Sequence, residues 1–190
     1  MLFEPIHKAI QAAKSSHNNI KEKILTIYLS PQGKLLDHEL VMSLSQYQQI
    51  ILLNGRYEGI DERIIENKVD MEISIGDYVL SGGELASMVL IDAITRQIPG
   101  ALGHEDSAKQ DSFANGLLDY PQYTRPDNIN GYNVPKVLLS GDHLAIARFR
   151  RKQSLGRTWL RRKDLLAKIK LTESDSVLLN EFIKEEAIYA

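Results

Sequence analysis

Short apolar runs alternate, along the first half of the chain, with stretches whose apolar residues recur every three or four positions. Ile24-Leu25-Thr26-Ile27-Tyr28-Leu29 is one run, stopped by Ser30-Pro31-Gln32-Gly33, and Ile50-Ile51-Leu52-Leu53 is a second, ending at Asn54-Gly55. Val69, Met71, Ile73 and Ile75 alternate as a third, finishing at Gly76-Asp77. Between the runs the spacing predicts helices: one opened by Pro5 and carried to Ala13, one capped by Asp37 through Ser45, one from Asp61 to Asn67. Apolar strands separated by helices predict an α/β layered fold with a mainly parallel sheet.

Ser81-Gly82-Gly83-Glu84 has capping-box spacing, so a long apolar helix is expected from there to Arg96, stopped by Pro99-Gly100. Residues 101–135 lose periodicity and gather Gly, Asn, Asp and Pro; they read as a mobile linker carrying a short helical turn. Helical patterning returns at Asp142, and Thr172 to Asp175 begins a last helix. The expected organisation is a ligand-binding α/β domain over 1–100, a linker over 101–135 and a small helical domain over 136–190.

The chain's 190 residues, 43% of them apolar, suffice for a buried core and exclude disorder. No apolar run reaches the roughly eighteen residues of a membrane span, so no membrane partner is expected. Glu4 and Pro5 interrupt the first apolar stretch, which is therefore no signal peptide. Cysteine is absent and the five histidines lack ligand spacing, so no metal centre is expected. The expected location is cytoplasmic. Charge changes the picture more. Leu144 to Lys170 carries ten Lys or Arg against Asp164 alone, +9, while the remaining chain carries −11. Such a patch calls for a polyanion at one place. On a helix Arg150, Arg157 and Arg161 share one face and can track phosphates; Ile146, Phe149 and Leu160 occupy another, and Trp159 either stacks on a base or packs in the core.

No dinucleotide fingerprint, P-loop or nucleophile elbow is present. Three strand ends carry loop chemistry instead: Tyr28 to Pro31, Asn54 to Gly59, and Ile75 to Leu80. Ligands of open α/β sheets bind beyond the carboxyl ends of strands, so these ends define a candidate cleft. The amides at Gly82-Gly83 either receive an anion or are capped by Ser81 and Glu84, and the cap is favoured. Arg96, four residues after Asp92, reads first as half of a helical ion pair worth ~0.3 kcal/mol, and second as a guanidinium aimed into a cleft. Asp111 and Asp119 are each either a cap or a general base.

Asn54 to Arg63 (NGRYEGIDER), Ser74 to Glu84 (SIGDYVLSGGE), Asp111-Ser112-Phe113, Tyr123 to Pro126, Leu138 to Gly141 and Lys152 to Thr158 resemble, in order, the bacterial tRNA (guanine-N1)-methyltransferases of the TrmD family. The resemblance runs from about Pro5 to the C-terminus. It implies a SPOUT-class, trefoil-knotted α/β fold that binds S-adenosylmethionine, with a small all-α C-terminal domain that binds tRNA. It implies methylation of N1 of guanosine-37, 3′ of the anticodon, by a homodimer whose active site joins one subunit's cleft to the other's C-terminal domain and linker. Assistance by Mg²⁺ comes with it.

Residue by residue, Gly55 and Ile75, Gly76, Asp77, Tyr78, Val79 and Leu80 match the family's cofactor loops. Tyr28, Leu29, Ser30, Pro31, Tyr57 and Glu58 lie near them, and Gly82 and Gly83 close the same block. Asp111 matches the general base and Arg96 the arginine that holds guanine O6, while Ser140 joins Arg150, Arg157, Arg161 and Trp159 as tRNA-binding residues. Two departures stand out. Met1-Leu2-Phe3-Glu4-Pro5 falls about sixty residues into the family's pattern, without its first strand and Gly-rich loop, a loss that would expose apolar edges. Gln122 stands where the family commonly has histidine. The alternatives are a catalytically inactive RNA-binding fragment of such an enzyme, or another SPOUT-class RNA methyltransferase.

Overall fold

The structure, a computed structural model, describes residues 1–16, 24–56, 58–103 and 111–189. It divides into two compact units, Met1–Glu105 and Asp106–Ala190. The first holds helix α1 (Phe3–Ser15), strand β1 (Ile24–Leu35), α2 (His38–Leu44), β2 (Gln49–Leu53), α3 (Glu62–Lys68), β3 (Met71–Ser74) and α4 (Glu84–Thr95). The described strands form a parallel sheet in the order β2-β1-β3.

Alternation along β1 sends Leu25, Ile27 and Leu29 into a core with Leu40 and Leu44 of α2, Ile73 of β3, and Ala86 and Leu90 of α4. A second cluster, Ile6 and Ile10 of α1 with Ile64 of α3, packs against Leu53 and Val69. Thr26, on the opposite face, is also fully buried, so the central strand is buried on both sides and reads as apolar at nearly every position. Asp70 fixes where β3 joins it. Its carboxylate accepts the Thr26 N–H at 2.7 Å, and its own N–H donates to the Thr26 carbonyl at 2.9 Å.

Two expectations fail here for identifiable reasons. β1 does not stop at Ser30. Its ladder with β3 lapses after Leu29 and resumes with Lys34 beside Ile73 and Leu35 beside Ser74. Gly33 allows this return, because a Cβ there would collide with the backbone of Glu72 and Ile73. Nor does Ser81 cap α4. The N-cap is Gly83, with no side-chain cap, so Glu84 is the first helical residue and cannot reach back as a capping box requires.

The second unit contains the short hairpin β4 (Asn128–Ile129) and β5 (Tyr132–Asn133), a 3₁₀ turn (Lys136–Leu139), α5 (His143–Arg161), α6 (Lys163–Leu166) and α7 (Glu173–Tyr189). Its core joins Leu155 of α5, Leu178 and Leu179 of α7, and Leu117. Gly156 gives α5 a notch: a Cβ there would run into the buried ring of Phe182. Thr172 and Asp175 form a true capping box, exchanging hydrogen bonds at 3.0 and 3.3 Å.

The stretch expected as a mobile linker is partly core. Leu117 is buried, the Leu118 N–H donates to Thr158 Oγ1 at 2.9 Å, and the Ser154 hydroxyl donates to the Leu118 carbonyl. The predicted helical turn at Asp111 is instead a tight reversal. Phe113 has φ 76°, and its N–H donates to the Leu117 carbonyl at 2.7 Å. The buried face of α5 runs through Leu155 and Thr158, whereas Leu160, assigned to an apolar face, is 47% exposed.

Candidate active site and nucleic-acid interface

Because all three strands are parallel, their carboxyl ends open at one edge of the sheet, and each ends in a turn that exposes backbone. Ser74 folds the end of β3. Its hydroxyl accepts the Gly76 N–H at 3.2 Å, and it is 3.1 Å from the Gly76 carbonyl, to which it donates. Gly76 itself has φ 149°, and a Cβ there would enter the Tyr78 ring. The Tyr78 hydroxyl closes the turn by donating to the Ile75 carbonyl at 3.2 Å. Beyond β2, the Ser87 hydroxyl donates to Asn54 Oδ1 at 2.6 Å, the Gly83 N–H meets the Gly55 carbonyl at 3.4 Å, and Arg56 bridges to Gly82. These contacts tie the end of β2 to the start of α4.

A cleft of about 270 Å³ lies between these turns. It is lined by Tyr28, Leu29, Ser30 and Pro31 of β1, by Gly55 and Glu58, by Ile75, Gly76, Tyr78, Val79 and Leu80, and by Gly82 and Gly83. Asp77 is not among its lining residues, and Tyr57 lies outside the described residues. Gln32, Gly59, Ile73, Ser74, Ser81 and Ala86 complete the wall. Gly59 belongs to the strand end that the sequence marks, whereas Gln32 sits in the unexpected return of β1 and Ile73 and Ala86 look like plain core. Burial raises the pKa of the Tyr28 hydroxyl, helped by Glu72 and Glu62, so it remains a hydrogen-bond donor at neutral pH. At the helix start, the N–H of Glu84 and then Arg56, 2.8 Å away, hold the Glu84 carboxyl below the usual range. Glu84 therefore brings its own negative charge to the end of the helix where an external anion had been considered. Arg96 is the half-buried C-cap of α4.

In the second unit Asp111 is exposed and lines a cleft of about 260 Å³ with Asn115, Asp119, Tyr120, Arg150, Arg151 and Ser154. Asp119 serves the local turn: its carboxylate accepts from the Tyr120 N–H at 2.7 Å and from the Gln122 amide at 3.1 Å. α7 answers part of the charge of the +9 segment. Arg148 pairs with Glu181, Arg151 with Asp175, and Lys152 with Glu185, each at 2.7 Å at its nearest. Arg162 pairs with Asp164. No ion pair involves Arg150, Arg157 or Arg161 among the described residues, and Arg150 and Arg161 are exposed. Trp159 is partly buried against the core, with Lys163 5.4 Å from its ring, which is the packing alternative of its two readings. The Ser140 hydroxyl is engaged locally, donating to the Val137 carbonyl at 2.8 Å and accepting the Asp142 N–H at 3.1 Å.

Comparison with known proteins decides the family. A model of the tRNA (guanine-1)-methyltransferase family, TrmD, matches residues 1–168. The chain belongs to the TrmD family. Among TrmD relatives, a tRNA (guanine-N(1)-)-methyltransferase of Legionella pneumophila (strain Philadelphia 1) is 60% identical over 183 residues, 96% of this chain and 72% of the relative. Those of Coxiella burnetii (strain RSA 493) and Serratia marcescens are 58% and 57% identical, covering 98% and 97% of this chain and 75% and 71% of their own length. As a TrmD member the chain is α/β with a parallel sheet. Among its described residues no group of three or more His, Asp or Glu gathers as a metal would need, and no helix is long and apolar enough to cross a membrane.

Proposed function

We propose that this chain methylates N1 of guanosine-37 in tRNA, with S-adenosylmethionine bound in the cleft at the strand ends. The cleft is the observation that carries the reading. Leu29, Val79 and Leu80 offer apolar surface for a flat ring, Gly76 and its neighbours offer backbone groups, and Glu58 offers negative charge to a cationic ligand. S-adenosylmethionine supplies a methyl on a sulfonium that needs no further activation. What remains is the guanine, whose N1 carries a proton at neutral pH. Asp111 accepts that proton, and Arg96 opposes the negative charge that then spreads to O6.

Membership of the family and the names of relatives at 57–60% identity support this assignment. The trefoil knot, a separate tRNA-binding helical domain, a cytoplasmic location and any help from Mg²⁺ belong to the same reading. So does a homodimer. Leu85, Met88 and Val89, spaced i, i+3 and i+4 on α4, are 57%, 57% and 49% exposed, an apolar face that a second copy would cover. A monomer in sedimentation velocity at micromolar concentration would remove that part.

The test is transfer of labelled methyl to a tRNA transcript, followed by nuclease mapping of the product. Label in 1-methylguanosine is expected. Binding without transfer would select the inactive RNA-binding reading, and label on ribose or another base would select a different RNA methyltransferase. Asp111→Asn is expected to keep cofactor and tRNA affinity while losing about 10²–10⁴-fold in single-turnover rate. A near-normal rate would reject Asp111 as the base.

A further inference from the structure

α7 sets two carboxylates against α5 that the packing of the two helices does not need. Arg148 and Lys152 stand one turn apart on α5, and Glu181 and Glu185 stand one turn apart on α7. Arg148 donates to both Glu181 oxygens, at 3.0 and 2.7 Å, and Lys152 to both Glu185 oxygens, at 2.7 and 2.8 Å. Leu155, Leu178 and Leu179 already join these helices, with Phe182 in the notch at Gly156. Asp175, buried within the capping box, holds Arg151 as part of that fold. The outer pairs differ. The Arg148 and Glu181 side chains are 53% and 38% exposed and that of Glu185 is 53% exposed, so water screens these pairs and they add little to stability.

What they change is the charge that an approaching polyanion meets. Arg148, the nearest cation, holds the Glu181 carboxyl below the usual carboxylate range, so it is ionised at neutral pH. A phosphate nearing Arg148 finds its paired N–H groups engaged, and over Lys152, whose side chain is only 14% exposed, it meets Glu185. Binding of RNA without regard to sequence rests almost wholly on phosphate contacts, whereas binding of a proper target also draws on its bases. Covering two cations therefore weakens the first more than the second. We infer that Glu181 and Glu185 are specificity-determining residues, which mask Arg148 and Lys152 from RNA phosphates and keep the chain from holding RNA that lacks its target. This assignment rests on the RNA substrate proposed above, though not on which atom is methylated.

Fluorescence anisotropy of the full chain with the tRNA transcript and with poly(A), over a salt series, tests it. In Glu181→Gln/Glu185→Gln the amide oxygens still accept from both cations. That variant is expected to bind poly(A) about tenfold more tightly, with a salt slope steeper by about one to two log–log units. The transcript should gain about threefold or less, so that the ratio of the two affinities falls. Adding Arg148→Gln and Lys152→Gln should return both slope and ratio to their wild-type values. Glu173→Gln/Glu186→Gln removes the same charge from exposed α7 positions that form no ion pair among the described residues, and should leave the ratio unchanged. An unchanged poly(A) slope, an equal gain for both RNAs, or an equal effect from Glu173→Gln/Glu186→Gln would overturn the mask. A lowered ratio with no 1-methylguanosine formed rejects only the proposed reaction. Formation of 1-methylguanosine with an unchanged ratio rejects only the mask, and binding of neither RNA rejects both.

Discussion

The strand-end cleft of the first unit and the basic helix of the second are built from different materials. The cleft is made largely of main chain: turns at Gly55, Gly76 and Gly82-Gly83, held by Ser74, Asn54 and Ser87. The helix is made of side-chain charge, sorted into two faces by what α7 opposes to it. A main-chain site tolerates change in side chains but not in backbone conformation. A charge-built face behaves the other way round, since each substitution subtracts a share and leaves the fold in place.

The sharpest way to break this contrast is at Gly76. Its φ of 149° excludes a β-branched residue, so Gly76→Val is expected to weaken methyl-donor affinity roughly tenfold to a hundredfold in titration calorimetry while the fold survives. Unchanged affinity would mean that the backbone there is not part of the binding surface.

A smaller effect is expected from the charges facing α7. Arg151, then Thr172, lower the pKa of buried Asp175 to about 2, below its ordinary 3.8. A carboxylate with a lowered native pKa stabilises the fold above the unfolded-state pKa and loses that contribution as pH falls through the native one. Stability of the second unit should therefore decline between about pH 4 and pH 2 by on the order of 1–2 kcal/mol through this group, discounted because Arg151 is partly exposed. Chemical denaturation of Asp175→Asn should show that decline flattened.

The smallest effect separates the two faces of α5. Arg150→Ala should reduce the salt slope of tRNA binding by about one unit, whereas Arg148→Gln, whose partner is Glu181, should leave it unchanged. Equal slopes for the two variants would show that α7 does not divide the helix.

The layered α/β architecture could be read from local periodicity because β1 is buried on both faces and its flanking helices carry clear caps at Asp37 and Asp61. The strand-end rule likewise marks most of the cleft wall. What stayed hidden depends on residues far apart in sequence. The return of β1 past Pro31 needs the backbone of Glu72 beside Gly33, and the pairing of Arg148 needs an acid thirty-three positions away. Nor did the polar stretch after Asp111 reveal that Leu117 is core, since a lone leucine among loop residues has no period. The roles of Asp111 and Arg96 came from resemblance alone; spacing left both open.

The notch at Gly156 inverts a usual rule of helix engineering. In an exposed helix the exchange of glycine for alanine adds close to 1 kcal/mol of stability, and any scheme that scores local preference would choose it first. Here the added methyl has nowhere to go but into Phe182, so the most helix-friendly replacement would push apart the two long helices of this unit. A surplus carbon at that spot works as a wedge.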